Sequence, residues 1–467
     1  MENETTIETL HGVTIEDQYM WMENTESART KNWVAEQDAK TRSILNKLPL
    51  REKLAARLKE LMDVGSFSAF NSRILKNPET GQTRYFQYRR DKDQKFEIFY
   101  YKDGLDGEQK IAIDPNKFSE DGSLSLHLTT ISRDGRKIAY QVSKNGSDRT
   151  TTYVLDIDTG KLLSDVLPDI RYMQLTWLPD DSGFYYLRWP DQNYEGDKKY
   201  KHRVYLHKLG TDFNDDVPIF GEGFAPDIHV YIEIPFNSKY LFITKVLGPN
   251  AKDIYYKNLG TNSEIKPLIM GKKGNFGLDV VGDTVYLYTD LKAPRGKIVR
   301  FNIDTPEETE WETIIPEKED ILYGFSIKGG KICLSYLSNV HERLFVYDLD
   351  GKEIVEVPLP EFGEISGPGG VKEGKEFFFI FDSFTVPQEH YRFDLEKLKL
   401  TLLERKEVEL DFKKFEVKQV WSESKDGTKI PMFIVHKKGL ELNGKNPTLL
   451  YGYGGFRISE LPPMYLI

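Results

Sequence analysis

Ile131-Ser-Arg-Asp-Gly-Arg-Lys-Ile-Ala-Tyr140 leads, after a polar gap, into Thr152-Tyr-Val-Leu-Asp-Ile-Asp-Thr-Gly160. Asp134-Gly135 is a hairpin signal with extended-chain residues on either side, and the second run closes on an Asp/Gly turn. The same order of strand, turn, strand and closing strand returns in Leu175-Thr-Trp-Leu-Pro-Asp-Asp-Ser-Gly-Phe-Tyr-Tyr186, followed by Arg203-Val-Tyr-Leu206. Related units begin near Thr83, Ile232, Gly277, Gly324 and Gly369. That makes seven units, spaced by roughly 45 to 57 residues, the scale of one four-stranded propeller blade. Such a unit cannot bury both faces of its sheet alone and must stack on its neighbours around an axis. The repeat predicts a mainly β protein, a seven-bladed β-propeller over residues 72–418, with an array of β-sandwiches as the structural competitor. The Trp-Asp dipeptide of the commonest propellers does not occur.

Outside the repeat the pattern changes. Ser27 is placed to cap a helix in which Trp33, Val34, Gln37, Thr41, Ile44, Leu45 and Leu48 share a face. Pro49 interrupts it, and Leu50, Leu54, Leu58, Leu61 and Met62 trace a second amphipathic helix. At the other end, Asp426-Gly427 turns the chain into an apolar strand from Ile430 to Val435. Thr448, Leu449 and Leu450 then read as a short buried strand that breaks into Gly452, Gly454 and Gly455. Tyr453, between two of these glycines, could aim its hydroxyl at charge developing on a substrate. A tight turn with aromatics packed in the core explains the same residues.

Composition narrows the function. The chain has 467 residues and a net charge of −10. This argues for two domains and against broad nucleic-acid binding. The acidic N-terminus has no apolar h-region, and no apolar run approaches the ~18 residues of a membrane span. One cysteine, Cys333, excludes an internal disulfide framework and a Cys-based zinc site. These features predict a cytoplasmic protein with no membrane or nucleic-acid partner.

Ser-Lys-Asp-Gly-Thr-Lys-Ile-Pro-Met-Phe-Ile-Val435 and Pro447-Thr-Leu-Leu-Tyr-Gly-Tyr-Gly-Gly-Phe456 together resemble the start of the catalytic domain of the prolyl oligopeptidases, a family of serine peptidases. His11-Gly-Val-Thr-Ile-Glu-Asp-Gln-Tyr-Met-Trp21 resembles the family's N-terminal signature, with Gln18 and Met20 in place of its usual proline and arginine. The resemblance implies a propeller flanked by N-terminal helices and the first strands of an incomplete α/β-hydrolase domain. Residues 1–71 and 419–467 then belong to the hydrolase part. It also implies a catalytic role for Tyr453 as an oxyanion-hole donor and a proline-pocket role for Phe456. More loosely, it implies that Tyr185 faces the substrate cleft; an alternating strand with one buried face explains Tyr185 equally well. Short proline-containing peptides are the implied partners, with no cofactor and a monomeric state.

Other candidate chemistry is weak. The eight histidines are scattered without an HExxH arrangement, and surface or satisfied core positions are expected. Gly271-Lys-Lys-Gly-Asn-Phe-Gly277 lacks the phosphate-loop pattern and reads as a hairpin turn. Asp180-Asp181 and Asp215-Asp216 read as solvated loop charge. No G-x-S-x-G occurs, nor the family's Gly-Gly-Ser-Asn-Gly-Gly, so the serine, aspartate and histidine of the triad are expected to be absent from the chain. Two readings remain. One is the N-terminal part of a prolyl oligopeptidase, truncated and inactive alone. The other is a non-catalytic propeller that binds peptides or a protein partner.

Overall fold

Strand alternation is the physical basis of the architecture. In the computed structural model, which describes residues 5–75, 82–171, 174–188, 203–225, 228–248, 250–261, 263–455 and 458–462, Phe377, Phe379 and Phe381 point to one side of their strand, Glu376–Asp382. Phe378 and Ile380 point to the other. Each set enters a different apolar layer. The same division separates Phe184 and Tyr186 from Tyr185 and Leu187, and Val285 and Leu287 from Tyr286. A sheet whose strands are apolar on both faces needs a neighbour on each side.

Seven sheets satisfy that need. Six have four strands in sequence order along the sheet, and the first has five. The first begins with Ser66–Phe67 and Asn71–Ile74, both paired to Thr83–Arg90, and the seventh ends with Lys399–Arg405. Seven buried clusters fill the seams between consecutive sheets. The last of them, with Phe67, Phe70, Tyr85, Phe378 and Ile380, joins the seventh sheet to the first. The result is a seven-bladed β-propeller. No strand is shared between the first and seventh sheets, so closure rests on packing and side-chain bonds. These include Phe70 N–H to His390 Nε2 (3.2 Å), Tyr85 to Glu376 (2.6 Å) and Arg89 to Glu404 (2.8 Å).

Residues 5–64 form a separate unit among the described residues. It contains a hairpin, Thr6–Leu10 with Val13–Asp17, and two helices, α1 (Ala28–Leu45) and α2 (Arg51–Met62). Ser27 caps α1 by accepting from Thr30 N–H at 3.1 Å. Trp21 packs edge-on against Trp33 at 6.2 Å. These are the only two α-helices among the described residues.

After the seventh sheet, Phe415–Glu423 pairs with Lys429–Lys437 through the Asp426-Gly427 turn. The first of these strands runs through Lys418, where the propeller was expected to end. Thr448 to Leu450 corrects the reading of a buried strand: it has no strand conformation, and Leu449 and Leu450 are 89% and 84% exposed. An apolar triplet becomes a strand only when a neighbour accepts its backbone hydrogen bonds, and none among the described residues does. Gly271 to Gly277 is likewise a connection between the fourth and fifth sheets rather than a hairpin turn.

Candidate functional site

The Gly-rich turn carries the first candidate residue. Tyr453 is 47% exposed, and its hydroxyl has no hydrogen bond among the described residues. Its ring lies over Gly455, where an added Cβ would stand 3.5 Å from it. Gly452, Gly454 and Gly455 have no left-handed φ, and an added Cβ at Gly452 or Gly454 would meet nothing, so neither backbone geometry nor close packing requires glycine here. Phe456 lies outside the described residues.

Tyr185 lies on the strand Gly183–Arg188. It is 4% exposed and packs with Leu187, Val204, Val230 and Ile232 in the layer between the third and fourth sheets. Burial raises its phenol pKa.

The propeller axis holds a second, richer set. Within an opening strand of each sheet, or up to four residues past its end, stand the charged residues Arg73, Arg133, Asp181, Glu233, Asp279, Lys328 and Lys372. Five of them line a cavity of about 300 Å3, together with Asn71, Phe236 and Leu278. A neighbouring cavity of about 450 Å3 shares Glu233 and Leu278 with it. Its walls carry five aromatic rings, Tyr231, Phe276, Tyr288, Tyr323 and Phe325, with Gln174, Thr244 and Lys252 among them. Tyr231 and Tyr323 are more than half exposed. The channel therefore has an aromatic tier and a charged tier.

Burial sets the electrostatics of the charged tier. Arg73 and Arg133 flank the Phe236 ring at 5.4 Å each. Desolvation lowers both guanidinium pKa values to about 10, and Arg133 adds to the effect on Arg73. Lys328 is lowered by burial. Lys372 pairs with Asp279 at 2.6 Å. Glu233 is reached by solvent inside the cavity but surrounded by protein; desolvation, then Asp279, pushes its carboxyl up to about 7.

Each carboxylate pair has one exposed member, Asp180 and Asp215, as expected of solvated loops, and one member that departs from that expectation. Asp181 is 6% exposed and accepts the Arg133 and Asp134 N–H groups at 2.7 and 2.8 Å. Asp216 is buried against His207, whose other nitrogen meets Asp165, both at 3.0 Å. Turn chemistry was legible there, but packing from another strand removed the water. The charged tier was missed because its members are roughly 45 to 60 residues apart, on separate repeats. Aligning the ends of the first strands was the available signal.

The family model described as prolyl oligopeptidase, N-terminal beta-propeller domain, matches residues 1–406. Prolyl endopeptidase of Elizabethkingia meningoseptica is 32% identical over 98% of this chain. Prolyl oligopeptidase A of Amanita bisporigera is 30% identical over 97%. The chain spans 64% of the length of each. A solved prolyl endopeptidase structure superposes with a TM-score of 0.90 at 33% identity, over 100% of this chain and 68% of the other. Prolyl oligopeptidase B of Galerina marginata, solved with a 35mer hydrolysis and macrocyclization substrate, shares the fold at a TM-score of 0.86 and 24% identity, over 100% and 68% of the two chains.

Proposed function

The chain belongs to the prolyl oligopeptidase family, and on that premise we propose that it is the propeller-bearing part of a serine endopeptidase that cuts short peptides after proline. The observation that carries this reading is the closed ring of seven sheets around a channel of peptide-sized cavities, in a chain that also contains the Tyr453 turn. The ring would restrict access to short chains. Residues before Ser66 and after the seventh sheet are assigned to the hydrolase part.

In this assignment Tyr453 donates its hydroxyl hydrogen to the oxyanion formed when the scissile carbonyl is attacked. Phe456 lines the proline pocket. Tyr185 enters only as a wall of the layer between two blades, as its burial favours. The serine, histidine and aspartate must come from polypeptide outside residues 1–467, since no nucleophile-elbow motif lies within them. The same reading makes the protein a cytoplasmic monomer without a cofactor.

The second reading, a non-catalytic peptide-binding propeller, is favoured by that missing motif. One assay separates the two. Residues 1–467 alone should leave a Gly-Pro amide reporter uncleaved and a serine-directed phosphonate unreacted. Joined to the remaining third of a homologous enzyme, they should cleave the reporter, and Tyr453→Phe should lower kcat roughly 10²–10³-fold, the usual loss for one oxyanion-hole donor. A joined enzyme that folds but stays inactive rules out the peptidase reading. Labelling of the chain alone would reveal an unrecognised nucleophile.

A further inference from the structure

We propose that the charged tier of the channel binds the C-terminal carboxylate of a short peptide, whose last side chains lie against the aromatic tier. The charges of this tier are unequally paired. Lys372 and Asp279 neutralise each other. Arg73 donates to Asn71 Oδ1 (2.7 Å) and Ser132 O (3.1 Å), and Lys328 to Gly370 O (2.8 Å), all uncharged acceptors. Neither cation has an ion pair among the described residues. Burial, with repulsion from Arg73 and Lys372 added, holds the Lys328 pKa below its ordinary range against the opposing pull of Asp279.

An incoming carboxylate supplies the counter-charge that these two cations lack, and charge-assisted hydrogen bonds are the strong ones. The adjoining tier explains why the carboxylate should belong to a peptide rather than a free ion. Exposed Tyr231 and Tyr323 offer ring faces to a proline or aromatic side chain within the cavity that shares Glu233 and Leu278. This rests on the proposed function only in taking short peptides as the ligands that reach the channel.

Glu233 provides a signature. Its carboxylate makes no hydrogen bond or ion pair among the described residues, and it lines the cavity with Asp279, Lys372, Lys328 and Arg73, of which Asp279 and Lys372 act on it most. A bound carboxylate disfavours a second negative charge nearby, so binding takes up a proton at Glu233. Affinity should rise as pH falls toward about 7, where the free Glu233 titrates, by at most about tenfold per pH unit for one proton. Below that it should level off.

Calorimetric titration of residues 1–467 with Gly-Phe-Pro as the free acid, its C-terminal amide and inorganic phosphate tests this. The acid should bind roughly ten- to a hundredfold more tightly than the amide, the worth of a charge-assisted bond. Lys328→Met should weaken the acid by the same factor and leave the amide unchanged, while Tyr231→Ala should weaken both. Glu233→Gln alters a side chain without a partner, so it should keep the fold and abolish the pH dependence. Equal affinity for acid and amide, phosphate binding as tight as the acid, or an unaltered pH profile in Glu233→Gln overturns the proposal. Because binding to this chain involves no turnover, these outcomes are independent of whether the joined enzyme cleaves.

Discussion

At the scale of single residues, buried titratable groups decide how the fold responds to pH. His390 is 1% exposed, and its Nε2 accepts the Phe70 N–H across the seam between the seventh and first sheets. Burial, helped by Lys102, pushes its pKa down to about 3. A protonated ring would turn a donor toward another donor. Above about 6.5, both folded and unfolded states hold a neutral ring, so the bond costs nothing in protonation. As pH falls from 6.5 toward 3, only the unfolded state takes up the proton, and stability falls by up to about 1.4 kcal/mol per pH unit. His390→Gln, which keeps an acceptor and cannot titrate, should flatten that part of the profile in denaturant unfolding between pH 7 and 4. An unchanged slope would assign the acid sensitivity to other groups.

At the scale of elements, the seams depend on close backbone approach. Gly369 ends the strand Glu364–Gly369 of the seventh sheet, and a Cβ there would stand 1.8 Å from the Phe70 carbonyl oxygen of the first. Neither atom belongs to a flexible side-chain end, so the strands must part. Gly369→Ala should destabilise the chain by ~1–3 kcal/mol or more, the range for overpacking a filled site. Gly277 is the second residue of the opening strand of the fifth sheet, Phe276–Val281, where an added Cβ comes no closer than 3.8 Å to Tyr288. Gly277→Ala should be nearly neutral. Midpoints in urea for the two variants check the contrast, and equal losses would show that the seam yields. Asp134-Gly135 and Asp426-Gly427 illustrate what local sequence specifies well: turns whose residue types set their own backbone.

At the scale of the whole molecule, burial is uneven. The buried apolar side chains run from Phe67 to Leu395, with Leu461 and Pro462 beyond them among the described residues. By contrast, α1, α2 and the hairpin Phe415–Lys437 leave Val34, Ile44, Leu54, Met62, Trp421 and Ile430 exposed. Elements with few buried contacts open first. Limited proteolysis should therefore remove residues before about Gly65 and after about Arg405, leaving a fragment that retains its β circular dichroism. Equal protection of Tyr451 to Gly455 would show that these residues have gained a partner. The exposed faces are also where sequence reading reached its limit, because an apolar stripe records that something covers it without recording what.

By itself, the sequence determined the blade count, because alternating strands with turn signals recur at a period that only ring stacking can bury. It determined the Ser27 cap and the Asp426-Gly427 hairpin, since both depend on residues only a few positions apart. The resemblance in Tyr451-Gly-Tyr-Gly-Gly455 pointed to the family. Tertiary structure alone decided that Tyr185 lies within a seam, that Asp181 and Asp216 are dry, and that Thr448 to Leu450 stays outside any sheet. It also brought Arg73, Glu233, Asp279, Lys328 and Lys372 to one cavity. The reason is common to all of these: desolvation, pairing and counter-charge depend on neighbours tens to hundreds of residues away, and local pattern carries no distance between repeats.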